Sequence, residues 1–342
     1  MLKDIHFAIL GLGQIGKKHA KLISNCPNAK LVALIDDGPA SAAYTTEIPF
    51  FPSLKDFKDS GIYADVVNIC TPNYLHAQHC LEAIELGYHV VCEKPMGLHK
   101  TDCERVINFS LKKNKSVFVV MQNRYSTTAE WLKSILDAKL LGDIYLVQIN
   151  CFWNRDGRYY AGSDWKGKKE LDGGVLFTQF SHFVDMLYSC FGDMHHFNAV
   201  FHNFSHQEST EFEDSGIVRF EFLSGGMGSL NFTTSIWDKN MESSLTVIAQ
   251  NGSLKIGGQY MEKLEYCHIK DYPNPELGIK NVAHENGTYV GNDAHHYLTI
   301  RNVVETLQGK STISTNALEG MKVVEIIEQM YKSPSYSPLN QK

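Results

Sequence analysis

The chain has 342 residues, 43% of them hydrophobic, and a formal net charge of −6. That length gives a prior of about two domains with a sizeable core. The acidic balance argues against a general binder of nucleic acid or anionic membrane, although it leaves room for a local basic site.

In chain order, the first 120 or so residues alternate strand and helix. IHFAILG is a short apolar run ended by glycines, QIGKKHAKLISNC has helical spacing at Ile15, His19, Leu22 and Ile23, and KLVALID reads as a second buried strand. SLKDFKDSG reads as a short helix and ADVVNICTP as a strand stopped by Pro72. YLHAQHCLEAIELG reads as a helix closed by Gly87, and HVVCEKP as a strand stopped by proline. KTDCERVINFSLKKN is a helix and SVFVVMQN a strand. Near-continuous apolar strands separated by helices indicate a parallel sheet covered on both faces, a doubly wound α/β nucleotide-binding domain.

The character changes after the helix and turn of AEWLKSILDAKLLGDIY. IYLVQINCFW, HHFNAVFHNF, DSGIVRFEFLSGGMGSLNFTTSI, SSLTVIAQNGSLKIGG and KLEYCHI read as strands joined by glycine turns, with an Asn-Gly hairpin signal in AQNGSLKI. They predict an antiparallel sheet packed with the helix LFTQFSHFVDMLYSCF. Two helices, NDAHHYLTIRNVVETLQG and NALEGMKVVEIIEQMYKS, follow, and SPSYSPLNQK is expected to be a frayed tail. The expected division is 1–122 for the dinucleotide-binding domain and 123–342 for substrate binding and oligomerisation.

The chain enters a strand at once, without the succession of a secretory signal, and no apolar run reaches the roughly 18 residues of a membrane span. The eight cysteines (Cys26, Cys70, Cys80, Cys92, Cys103, Cys151, Cys190 and Cys267) form no CxxC pair. They read as reduced core residues of a cytoplasmic protein.

GLGQIG matches G-x-G-x-x-G at Gly11, Gly13 and Gly16, after a strand and at the start of a helix. Gly11 allows the tight turn, Gly13 lets backbone approach a pyrophosphate, and Gly16 permits close helix–strand packing. The loop positions Gln14 and Ile15 stand at the helix start that faces the phosphates. Asp36 ends the second strand about twenty residues on, where a carboxylate accepts ribose hydroxyls of NAD and repels the extra phosphate of NADP; Asp37 reinforces it. NADP, or an Asp36 that only begins a loop, are the alternatives. Thr71, Pro72 and Asn73 end the third of these strands, where ligands sit in an open sheet. His76 and His79 share a helical face, but no third ligand has suitable spacing, so packing or capping roles and no metal are expected.

Glu93 and Lys94 stand at the carboxyl end of another buried strand. A lysine there is costly unless paired or functional; it could assist proton transfer or orient a hydroxyl, or simply bridge to a carboxylate. Further on, WNRDGRYYAGSDWKGKKELDGG fits neither a helical nor a strand period. Arg155, Arg158, Lys166, Lys168 and Lys169 make a basic cluster there, with Trp153, Tyr159, Tyr160 and Trp165 as flat surfaces. The combination suits an anionic, ring-containing small molecule, against the plainer reading of a solvated loop over packed rings.

GLGQIGKKH, CTPNYLHAQHCLEAIELGYHVVCEKPM and DGGVLFTQFSHFVDML resemble the Gfo/Idh/MocA oxidoreductases over nearly the whole chain. The resemblance implies a Rossmann domain followed by an α+β domain with an open, mostly antiparallel sheet. It implies NAD(P)-dependent oxidation or reduction of a sugar or polyol carbon, in homodimers or homotetramers packed through the sheets. Lys94 matches the family lysine that contacts substrate and cofactor, and His182 the histidine given an acid–base role. His76, Glu93 and Gln122 join the expected cofactor contacts. Asn123, Arg124, Tyr125, Arg155, Arg158, Tyr159 and Thr178 join Lys94 and His182 on the substrate side. Many members carry aspartate where this chain has Thr178, which cannot supply charge. Asp185, three residues after His182, could orient it or be a solvated or capping residue.

QNRY at 122–125, with NRDGRYYAGSDWKG and LDGGVLFTQFSH, resembles the branch that oxidises UDP-N-acetylglucosaminuronic acid at C3 in bacterial surface-polysaccharide synthesis. That branch has an amide at the position of Thr178, and in it a 2-oxo acid such as 2-oxoglutarate can regenerate bound NAD. The competing readings are a dehydrogenase or reductase of free sugars or polyols and a non-catalytic, cofactor-dependent regulator.

Overall fold

The computed structural model describes residues 3–38, 47–284 and 287–333; the expected tail, 334–342, lies outside them. The chain forms two compact units, Met1–Gln122 with Asn281–Val324 and Asn123–Lys280 with Glu325–Lys342.

The first unit is built on six parallel strands: β1 (Ile5–Leu10), β2 (Ala29–Ile35), β3 (Phe50–Phe51), β4 (Val66–Ile69), β5 (His89–Cys92) and β6 (Val117–Val119). Their order is β3-β2-β1-β4-β5-β6. Phe7, Ile9, Val66 and Val91 are fully buried, as strands covered by helices on both faces require. The order reverses between β1 and β4, so the carboxyl ends of those strands open the crevice where such sheets take ligands.

Residues 281–324 pack with this unit, whereas a division at 122/123 puts them in the other. Their helix, Asn292–Leu307, buries Ala294, Tyr297, Ile300, Val303 and Val304 in the same core as Phe7 and Ile9. A short antiparallel pair, Asn281–His284 with Gly287–Val290, precedes it and adds Tyr289 to that core. Amphipathic spacing reveals a face to be buried, but not what covers it.

The second unit carries seven strands: β7 (Ile144–Phe152), β8 (Met194–His202), β9 (Ser215–Phe222), β10 (Met227–Thr233), β11 (Glu242–Ala249), β12 (Gly252–Gly257) and β13 (Lys263–Ile269). The order is β13-β12-β11-β7-β10-β9-β8, antiparallel throughout except for the β7–β10 pair. Burial alternates along β9, with Val218, Phe220 and Phe222 inside and Ile217 and Arg219 outside, the mark of a sheet with one face packed. The expected hairpin forms, with Ala249 opposite Gly252. The apolar run after the glycines breaks into a single turn, Val175–Thr178, and the helix Ser181–Phe191.

No helix among the described residues is long and apolar enough to cross a membrane. All eight cysteines are free thiols.

Candidate cofactor and substrate sites

The glycine turn is shaped by two kinds of constraint. Gly11 has φ +94°, and a Cβ there would lie 2.7 Å from the Cys70 carbonyl oxygen; at Gly16 it would lie 1.9 Å from the Gly11 oxygen. Packing therefore excludes side chains at both. Gly13 differs, because a Cβ there would meet no atom within 4 Å. Gly13, Gln14 and Ile15 are exposed. The helix Gln14–Ser24 begins beside them with no side-chain cap and no acid in its first turn, which leaves its positive end to an anion. Asp36 closes the cradle: Oδ2 accepts the Leu12 N–H at 2.5 Å and Oδ1 accepts the Gly38 N–H at 2.8 Å. Each oxygen retains a second acceptor site, so the carboxylate anchors the turn and can still take ribose hydroxyls. Open backbone, uncapped helix and fixed acid together fit a dinucleotide.

Beyond the ends of β4 and β5 lies a buried polar network that ties the glycine helix to the Glu-Lys-Pro turn. His19 Nε2 lies 2.9 Å from Glu93 Oε1, and Lys94 N–H donates to Glu93 Oε2 at 3.3 Å. Burial opposes a charged His19, but the Cys70 and Glu93 side chains outweigh it and hold its pKa at about 10. Burial likewise opposes a Glu93 carboxylate, yet the hydrogen bond and charge of His19 hold it at about 2. The pair is thus ionic. Asn68 Nδ2 faces His19 Nδ1 at 2.9 Å while its Oδ1 is buried with no partner. Turning the amide over gives a doubly protonated ring the acceptor it needs. His296, pushed down to about 4 by burial and by Lys18 beside it, completes the surroundings as a neutral ring.

His76 lies between two turns. It is buried, with Nδ1 2.6 Å from the Pro95 carbonyl and Nε2 2.7 Å from that of Thr71. Burial pushes its basicity down, so it donates to one of the two at a time and braces the turns. His79 binds the Thr71 hydroxyl at 3.0 Å, a packing role. Thr71, Pro72 and Lys94 are half-buried at the strand ends, while Asn73 and Gln122 are buried.

In the second unit, His182 is buried in the helix Ser181–Phe191. Both oxygens of Asp185, three residues on, accept from Arg124, Nε to Oδ2 at 2.9 Å and Nη2 to Oδ1 at 2.7 Å. Arg124 is thereby fixed by a bidentate ion pair. Asn123 and Tyr125 flank it half-buried in the turn Gln122–Tyr125. Thr178, also expected to face substrate, donates its hydroxyl to the carboxylate of buried Asp172, whose other oxygen accepts the Gly167 N–H at 2.9 Å.

The segment 153–174 is an ordered platform containing two single helical turns, Gly157–Tyr160 and Lys169–Asp172. Arg155 donates to Gln179 Oε1 at 2.7 Å and to the Asn154 carbonyl at 2.6 Å, with its guanidinium 4.8 Å above Trp153 and 5.4 Å above Tyr159. Gln179 donates in turn to the Tyr159 hydroxyl at 2.8 Å, and burial pushes that phenol up to about 12. Lys166 sits 4.1 Å over the same ring. Arg158 is exposed and clasps Asp156, so its charge is balanced locally. Trp153 packs edge-on to Phe180 and Phe183. Below the platform, His206 bridges Asp214 (3.0 Å) and the Arg155 carbonyl (2.6 Å). Asp172, Gln179 and the His206–Asp214 pair escape sequence reading; the acid directly before the double glycine was the one local signal for Asp172.

A doubly wound parallel sheet with this turn, this helix start and Asp36 defines a Rossmann-type dinucleotide-binding protein. Comparison with known proteins goes further. Residues 5–121 match the oxidoreductase family with an NAD-binding Rossmann fold, and residues 130–255 match the Gfo/Idh/MocA C-terminal domain. The structure is similar to the WlbA dehydrogenase of C. violaceum solved with NADH and UDP-GlcNAcA, with TM-score 0.86 and 32% identity over 97% of this chain and 94% of that one. The Bordetella pertussis WlbA dehydrogenase, solved with the same two ligands, gives 0.86 and 29% over 97% and 96%. D-glucoside 3-dehydrogenase of Escherichia coli is 25% identical over 96% of this chain and 95% of its own. The chain belongs to the Gfo/Idh/MocA family and is an NAD-dependent oxidoreductase.

Proposed function

We propose that this enzyme oxidises C3 of a nucleotide sugar of the UDP-N-acetylglucosaminuronate kind, in the synthesis of a surface polysaccharide. The observation that carries the reading is the 32% identity over nearly the full chain to a WlbA dehydrogenase holding UDP-GlcNAcA. NAD supplies the hydride acceptor; Gly13, Gln14 and Ile15, in the turn that Gly11 and Gly16 shape, hold its phosphates and Asp36 its ribose, which favours NAD over NADP. Lys94 and His182 take the two roles that remain. One receives the proton of the sugar hydroxyl as hydride leaves the same carbon, and the other orients that hydroxyl. Arg155 and Lys166, half-buried over Tyr159, meet the anionic part of the substrate, where partial desolvation strengthens the attraction. Assembly into dimers or tetramers and regeneration of the cofactor by a 2-oxo acid belong to the same proposal.

The 25% identity to D-glucoside 3-dehydrogenase supports a second reading, oxidation of a free sugar or glycoside. Thermal-shift titration with NAD present, comparing UDP-sugars with glucose, glucosides and inositol, separates the two. The expected result is stabilisation by the UDP-uronate and NADH formation with it. Stabilisation and turnover confined to free sugars would overturn the nucleotide-sugar reading. Lys94→Ala and His182→Ala are each expected to lower turnover while NAD still binds; unchanged turnover in both defeats the assignment of roles.

A further inference from the structure

Neighbouring side chains on a regular strand point to opposite faces. β8, the edge strand of the seven-stranded sheet, breaks that rule near its start. Its register against β9 pairs Met194 with Phe222 and His195 with Glu221, then resumes at Asn198 with Arg219. Three steps on β8 therefore match two on β9, and the extra residue makes a bulge. Within it His196 has φ +53°, a left-handed conformation uncommon outside glycine, although histidine enters it more often than most residues. The bulge turns two consecutive imidazoles to one side, with ring centroids 4.0 Å apart. It sets them beside Glu221, whose Oε2 lies 3.1 Å from His196 Nδ1. Bulges that re-aim side chains in this way are built features more often than defects.

We propose that His195, His196 and Glu221 form a zinc-binding site at the edge of the second unit, separate from the residues assigned to catalysis. One ligand atom from each of the three lies within 4.8 Å of the others. The 3.1 Å between Nδ1 and Oε2 is close to the edge of a tetrahedron with metal–ligand bonds of about 2.0–2.1 Å, which is about 3.3 Å. Two imidazoles and one carboxylate are a borderline-soft donor set that suits Zn²⁺ and discriminates against Mg²⁺ and Ca²⁺. Arg219 lies 3.7 Å from Oε1 of Glu221, the other oxygen, and leaves Oε2 as the ligand. The side chains of His196 and Glu221 are partly exposed, so the fourth position faces solvent, for water or an added ligand. A bound ion would pin the bulge and cross-link the edge strand to its neighbour.

The test is calorimetric titration of the full-length protein with ZnCl₂ at neutral pH, after treatment with chelator and buffer exchange. The expected result is one saturable site per chain that is missing in His195→Ala/His196→Ala and weakened about tenfold or more in Glu221→Gln, with no matching heat from MgCl₂. His196→Gly serves as the folding control. Glycine adopts the left-handed backbone freely, so this variant keeps the bulge while losing a ligand, and it too is expected to lose the site. Zinc uptake that is absent from the wild type, or equal in the wild type, the double variant and His196→Gly, overturns the proposal.

Discussion

Replacing Glu93 with glutamine should remove one of the larger single contributions to the stability of the first unit, and in a pH-dependent way. His19 and Glu93 are 2% and 6% exposed and their charged groups are 2.9 Å apart. His19 is held well above its ordinary 6.5 by the Cys70 side chain first and then by Glu93, so Glu93→Gln removes only part of that shift. Removing one partner of a buried pair costs about 3–5 kcal/mol. The pKa of His19 is raised in the folded chain, so its contribution is complete below 6.5 and is lost as pH rises through about 10. The pKa of Glu93 is lowered to about 2, so its contribution is complete above 4.5 and is lost as pH falls through about 2. The difference between wild type and Glu93→Gln should therefore be largest near pH 4.5–6.5 and shrink steadily toward pH 10. Urea denaturation followed by circular dichroism across that range measures it. A His19→Gln/Glu93→Gln cycle isolates the coupling, and the double variant should be less destabilised than the two single losses added together. A difference that is flat with pH, or a coupling near zero, would refute the ionic pair.

Three further outcomes follow from the packing. Gly13→Ala adds a methyl group to open space and should weaken NAD binding with little change in melting temperature, whereas Gly16→Ala drives a methyl into the Gly11 carbonyl and should destabilise the fold itself; calorimetry with NAD and thermal melts of both variants compare the two effects. Thr178→Val deletes a hydroxyl that donates to the Asp172 carboxylate and should cost about 1.5–3 kcal/mol, the worth of a hydrogen bond to a charged group; Thr178→Ser should restore it in the same urea titration. Glu213, whose pKa burial raises to about 7 although Tyr331 donates to it, is neutral in the folded chain at acid pH and costs stability as pH rises from 4.5 through 7. Glu213→Gln should therefore stabilise the protein at pH 8 and not at pH 4, by less than the roughly 3 kcal/mol of the full shift because the residue is only partly buried; a melting temperature that moves equally at both pH values would defeat that assignment.

The parts of this molecule that could be read from its sequence are those whose physics is local. A glycine turn between strand and helix specifies its own backbone, and Asp36 lies where the second strand must end. What escaped reading depends on partners far along the chain. Arg124 and Asp185 are 61 residues apart, and nothing near either shows that the two will pair. The helix Asn292–Leu307 has an apolar face that spacing reveals, yet only the tertiary structure shows that Phe7 and Ile9 share its core.

The segment 153–174 shows the consequence for function. Read by composition, its five bases all look available to an anion. In the fold, Arg158 is balanced by Asp156 and exposed, while Lys168 and Lys169 lie on the surface. Arg155 and Lys166 remain, held over Tyr159 in partly desolvated surroundings, where a charge discriminates more strongly than it does in water. On the proposed function, selection of an anionic sugar falls to two cations rather than five. Replacing Arg155 or Lys166 should change the preference between charged and neutral sugars, whereas replacing Lys168 or Lys169 should leave it alone. Ratios of kcat/KM for the uronate and its neutral counterpart decide this, and an equal effect from all four positions would return the segment to a diffuse basic patch.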